Sequence, residues 1–275
     1  MRIGLSLPAK TFMPEETKGI DADFNPFESL VYGYNTAIKI GYDYIEAAVG
    51  VINDLTEEEM EKLCGMIDEK RFSLEICNCF IPSDIPVFGT DDKKMREFAE
   101  SSMKRMSLLN VRKVVFGSGA ARMVPCDVSA SDADKKLCDF LKMCGEVGER
   151  YGITTVLEPL NSTETNIINT LSEGACAVMA ANCANVSLLA DVFHMSVEGE
   201  DVADVKKFDN LISHFHVSEA PGRVFPGKFG GEYIKKFGNV LKTAGIDKDI
   251  TVECVFDDFE KEAAESFAFV KEAVL

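Results

Sequence analysis

Eight short apolar, β-branched runs, each followed by a longer stretch of helical periodicity, constrain this chain more than any other feature. The runs fall at residues 3–7, 44–49, 74–80, 113–117, 154–160, 186–191, 212–217 and 250–256. Helices are expected at residues 27–40, 57–70, 93–109, 130–150, 172–184, 233–244 and 259–274, with a short polar one at 201–208. Thr56 and Asp92 read as helix starts, and Gly41, Gly152 and Gly245 as helix ends. A strand that is always followed by a helix closes into a parallel barrel, so the expected fold is α/β, a single (β/α)8 TIM barrel over residues 1–275. A doubly wound open sheet would carry a glycine-rich phosphate loop after its first strand. Pro8, Ala9 and Lys10 stand there instead.

The length of 275 residues suits one barrel, and 46% apolar residues suffice for its core. A formal charge of −17 repels phosphate backbones and anionic lipid heads, which argues against nucleic acid or a membrane as partner. No apolar run reaches membrane-spanning length, and Met1 leads straight into the first strand without a signal peptide. A cytoplasmic protein is the expectation. Nine cysteines lie mostly inside helix-like and strand-like segments, as reduced, packed thiols do. Cys77 and Cys79 lack a second pair at zinc spacing.

Barrels carry their chemistry at the C-terminal ends of the strands. Glu158 stands near the end of the fifth run, Asp191 and His194 at the sixth, His214 and His216 on one face of the seventh, and Glu253 in the eighth. A carboxylate inside a β-branched run is costly to bury without a compensating charge. Three on neighbouring strands would repel one another, and a divalent cation turns that repulsion into binding. All three histidines of the chain fall between residues 194 and 216, on the same strand ends. Glu158, Asp191, His216 and Glu253 therefore form a candidate metal site of three carboxylates and one imidazole. Such a donor set favours manganese, with cobalt or magnesium as alternatives, over zinc. It suits a Lewis acid that polarises a carbonyl and its neighbouring hydroxyl.

The run Leu157-Glu158-Pro159-Leu160-Asn161 with Glu164-Thr165, then Asp191-Val192-Phe193-His194-Met195, His214-Phe215-His216-Val217-Ser218-Glu219 and Val252-Glu253, resembles the xylose isomerase-like barrels. It is most similar to their ketose 3-epimerases of the D-tagatose and D-psicose type. The resemblance covers residues 150–256. It implies a small-molecule sugar as substrate and the same four metal ligands. It implies Glu158 and Glu253 as the catalytic acid–base pair, which moves a proton through a metal-stabilised enediolate. Glu164, His194 and Arg223 would contact the sugar. The loop bearing Arg223 is one residue longer than the family's. A homo-oligomer, dimer or tetramer, is implied by resemblance alone.

Elsewhere around the mouth, Glu46 and Asn78 read as pocket-lining residues, with Glu46 also suited to pairing with a neighbouring base. Phe193, Phe225 and Phe229 are candidates for its walls, and the glycines of Phe116-Gly117-Ser118-Gly119 read as turn formers. Gly227-Lys228-Phe229-Gly230-Gly231 lies where barrels often bind phosphate, but few basic residues accompany it. On the same scaffold, an inosose dehydratase, a hydroxypyruvate isomerase and a sugar-phosphate isomerase are the rival enzymes. A sugar-binding barrel without turnover is the non-enzymatic rival. An abasic-site endonuclease would need more histidines and a basic surface.

Overall fold

The computed structural model describes residues 1–7 and 25–275. Pro8, Ala9 and Lys10 lie outside the described residues. Eight parallel strands close into a barrel in chain order: β1 Ile3–Leu7, β2 Tyr44–Ala48, β3 Ile76–Asn78, β4 Lys113–Phe116, β5 Thr154–Leu157, β6 Val186–Asp191, β7 Ile212–Val217 and β8 Ile250–Val252. Strands β6 and β7 end where the sequence places them. Strands β3, β5 and β8 stop two to four residues earlier than expected, because the chain turns out at the mouth where the polar side chains begin.

The outer layer comprises α1 Pro26–Ile40, α2 Val49–Asp54, α3 Glu57–Asp68, α4 Asp92–Leu108, α5 Ala130–Tyr151, α6 Leu171–Ala181, α7 Val192–Val197, α8 Glu232–Ala244 and α9 Phe259–Val274. Thr56 caps α3 in a full capping box with Glu59. Asp91, not Asp92, caps α4: its carboxylate accepts from the N–H groups of Lys93 and Lys94. Gly41, Gly152 and Gly245 terminate α1, α5 and α8. The short polar helix expected at residues 201–208 is a 3-10 segment, Val202–Lys207, and α7, which the sequence reading missed, precedes it. No helix among the described residues is long and apolar enough to cross a membrane. All nine cysteines are free, and Cys183 lies beyond the end of α6.

Two cores result. A large one packs helices onto the outer face of the barrel, and a small one fills the bore with Tyr44, Ile76, Val115, Val156 and Leu189. Two residues further along each of these five strands, on the same face, stand Glu46, Asn78, Gly117, Glu158 and Asp191. The period of two thus sets an apolar floor beneath a polar upper set. Gly4 completes the floor by being small: a Cβ there would lie 2.2 Å from the Tyr44 ring. At the N-terminal end Arg2 joins the barrel seam, donating to Glu75 (2.9 Å) and Asp249 (2.6 Å).

Candidate active site

Register delivers the polar groups to one place. Asp191 on β6 pairs with His216 on β7. Glu158 follows β5 directly, its N–H bonded to the Phe116 carbonyl, and Glu253 follows β8, its N–H bonded to the Val217 carbonyl. One donor atom from each of Glu158, Asp191, His216 and Glu253 lies within 4.8 Å of the others. His216 Nδ1 faces Glu158 Oε1 at 3.1 Å and Glu253 Oε2 at 2.8 Å. Three carboxylates and one imidazole, all but Glu253 fully buried, converge as a divalent cation's ligands must, so the residues present fit such an ion.

The electrostatics follow from crowding. Burial pushes the Glu158 carboxyl up, only partly offset by His216. Burial acts on Glu253 in the same direction, but the Arg223 guanidinium and His216 outweigh it and hold that carboxyl well below the usual range. Burial would lower the His216 imidazole, yet Glu46, Glu253 and Glu158 around it keep it well above its ordinary value.

The other three residues singled out in the sequence also gather here. His194 lies on α7 rather than on β6, one turn past Asp191, with its Nε2 3.5 Å from Asp191 Oδ2. The Asn161 main-chain N–H meets His194 Nδ1 at 3.1 Å. Nδ1 is an acceptor in that contact, and Nε2 faces Arg223 and Asp191. Glu164 is half exposed and accepts from Asn161 Nδ2 at 2.9 Å. Arg223 enters across a two-stranded bridge between Glu219 and Val224 with a left-handed backbone (φ 54°), an uncommon conformation for a residue with a side chain. Its Nη2 donates to Asp191 Oδ2 at 3.0 Å and to Glu253 Oε2. Its Nη1 lies 2.9 Å from His194 Nε2, within hydrogen-bond reach. The guanidinium lies over the Phe193 ring, 5.2 Å from its centre.

Several supporting residues were misread or missed in the sequence. Gly117 is not merely a turn former: a Cβ there would lie 2.3 Å from Glu158 Oε2, so the missing side chain makes room for that carboxylate. Asn78 bridges Ser6 Oγ (2.8 Å) and Glu253 Oε1 (3.1 Å). Arg122, fully buried in the 3-10 turn Gly119–Arg122, donates to the main-chain carbonyls of Glu158 (2.8 Å), Phe116 (3.3 Å) and Ile168 (3.3 Å). Burial pushes its guanidinium down to about 10. No sequence signal marks Arg122 as buried. The main-chain N–H groups of Gly227, Phe229 and Gly231 are bonded to the Glu219 carboxylate at 2.7–3.0 Å, so this phosphate-like turn already holds an anion of the chain's own. Phe229 is exposed, and Phe225 packs against Lys228.

Known proteins share this frame. A 215-residue stretch is 27% identical to the D-psicose 3-epimerase of Agrobacterium fabrum, covering 75% of this chain and 71% of that one. The inosose isomerase of Bacillus licheniformis is 24% identical over 82% of this chain and 84% of its own length. The crystal structure of D-psicose 3-epimerase with D-tagatose from Clostridium cellulolyticum H10 superposes with a TM-score of 0.81 at 19% identity, covering 100% of this chain and 99% of that one. The family model for the xylose isomerase-like TIM barrel matches residues 35–273.

Proposed function

Because the chain belongs to the xylose isomerase-like TIM barrel family, we propose that it is a divalent-metal-dependent isomerase of small sugars whose reaction is the 3-epimerisation of a ketose. The observation that carries this reading is the approach of Glu158 and Glu253 to the same imidazole nitrogen from two different strands. Two carboxyl groups so placed share one cation site, and in this reading they would stand on opposite sides of a sugar bound there. A cation held by Glu158, Asp191, His216 and Glu253, manganese in this reading, would supply Lewis acidity to a carbonyl and its neighbouring hydroxyl.

The residues of the chain do the rest. One glutamate takes the proton from the carbon beside the carbonyl, leaving an enediolate. The other, protonated, gives its proton to the opposite face of that carbon, and the configuration inverts. The His194 ring, Glu164 and Arg223 contact the oxygens of the sugar at the mouth. Asn78 and Arg122 keep the two glutamates in place, one through the Glu253 side chain and the other through the Glu158 main chain. The likeness to the Agrobacterium protein supports the ketose substrate. A second reading, isomerisation of an inosose, is favoured by the Bacillus match.

The test is metal analysis of the purified protein, then turnover of a panel of ketoses and inososes in heavy water. Deuterium at carbon 3 of a recovered ketose is expected. Glu253→Gln should lower kcat by about 10²- to 10⁴-fold while sugar binding persists. A variant that epimerises at close to the wild-type rate would sink the two-glutamate scheme.

A further inference from the structure

The mechanism leaves unused a carboxylate buried beneath the cluster. Glu46 stands on β2, and its side chain is fully buried. A carboxylate there is costly unless its oxygens are bonded. Both are. Oε1 lies 3.1 Å from His216 Nε2, and Oε2 lies 3.3 Å from the same nitrogen and 3.2 Å from His214 Nε2. His214 Nε2 is in turn 3.0 Å from Thr251 Oγ1, which is 3.0 Å from the Tyr44 hydroxyl. Among the described residues the ion-pair partners of Glu46 are these two histidines.

Glu46, His214 and His216 also lie close enough together to suggest a second ion cage. Their contacts are at hydrogen-bond length, a single carboxylate serves both rings, and His214 Nε2 is shared with Thr251. The group is better understood through the ring it shares with the upper cluster. The two nitrogens of His216 face opposite ways: Nδ1 toward Glu158 and Glu253, Nε2 toward Glu46. A neutral imidazole has one proton, and a ligand nitrogen must offer a lone pair. If Nδ1 is the ligand, the proton belongs on Nε2, and Glu46 is the acceptor there.

We propose that Glu46 is a positioning residue. It accepts Nε2–H of His216 and so fixes the tautomer and ring plane that turn Nδ1 into the cation site, while His214 steadies the carboxylate from its other side. This rests on the reading of the upper cluster as a cation site. Carboxylates that bond the far nitrogen of a metal-binding histidine raise its basicity and lock its orientation.

The probe is Mn²⁺ alone, titrated calorimetrically into metal-stripped wild type and Glu46→Gln, with thermal melts of both stripped proteins. Mn²⁺ binding about 10- to 100-fold weaker in the variant is expected. The second readout is ¹⁵N-histidine NMR of the Mg²⁺-loaded protein. The chain has three histidines, so His194→Asn and His214→Asn assign the spectrum. A His216 protonated at Nε2 in the loaded wild type, its proton shifted downfield by the bond to the Glu46 carboxylate, and an upfield move of that proton in Glu46→Gln are expected; a merely structural role would leave that shift alone. Equal Mn²⁺ affinity in the two proteins overturns the assignment and leaves the cation site standing; Nδ1–H in the loaded wild type overturns the assignment and takes His216 out of the ligand set. A wild type that takes up no Mn²⁺ overturns both. Should Glu46→Gln fail to fold, Glu46→Asp withdraws the carboxylate by one methylene, and Mn²⁺ binding about tenfold weaker is expected; unchanged binding overturns the proposal.

Discussion

At the scale of single residues, what was legible in the sequence was charge in the wrong company. Glu158 and Glu253 stand in runs of valine, leucine and threonine, where a carboxylate needs a reason, and that misfit marked them. Gly117 gave no such signal, because a glycine between Phe116 and Ser118 looks like any turn. Its importance lies in what it omits. The Cβ of Gly117→Ala would stand 2.3 Å from Glu158 Oε2, so the carboxylate must swing aside. A displacement near 1 Å is worth about 10²-fold in rate, so kcat should fall by about that factor with little change in melting temperature. Steady-state kinetics within twofold of wild type would show that Glu158 tolerates the shift. Arg122 was illegible for a different reason. It pairs with main-chain carbonyls rather than with an acid, and such partners exist only once β4 and β5 are side by side.

At the scale of elements, long helices with caps and strands with β-branched runs were readable, and short elements at the mouth were not. The sequence Asp191-Val192-Phe193-His194-Met195 continues the apolar run of β6, so its period gave no warning that the chain turns into α7 at Asp191. That residue serves two structures at once. Its Oδ1 accepts from the Phe193 N–H at 2.8 Å as the helix cap, while Oδ2 joins the cluster. The two tasks separate on substitution. Asparagine caps a helix about as well as aspartate, and alanine does not. In the metal-stripped state Asp191→Ala should be less stable than Asp191→Asn by about 1 kcal/mol in urea unfolding, while both lose Mn²⁺ affinity. Equal stability of the two variants would remove the cap from the account.

At the scale of the whole molecule, alternation alone specified a barrel, and closure is where the structure adds most. Arg2 on the N-terminal side meets Glu75 and Asp249, which stand just before β3 and β8. Burial pushes the Asp249 carboxyl up, but its bond to Arg2, with further attraction from Arg2 and Lys113, holds it below the ordinary value. A depressed folded-state pKa adds stability above the unfolded value near 4, and that stability drains away as pH falls through the folded value. Arg2 is half exposed, so solvent screening limits the pair to about 1 kcal/mol. Asp249→Asn should therefore unfold at lower urea than wild type at pH 7, with the gap closing toward pH 3. A gap that persists in acid would assign the effect to packing.

The filled bore has one more effect. Tyr44, with Gly4 yielding to its ring, and His214 are fully buried and fill the bore beneath the cluster. Among the described residues, the cluster lies above this filled bore, on the side of the mouth where the sugar would sit. In the proposed reaction a bound ketose would be its own stopper, and the deuterium it carried away from heavy water would act as a clock, counting how often the doorway clears between removal of a proton and its return.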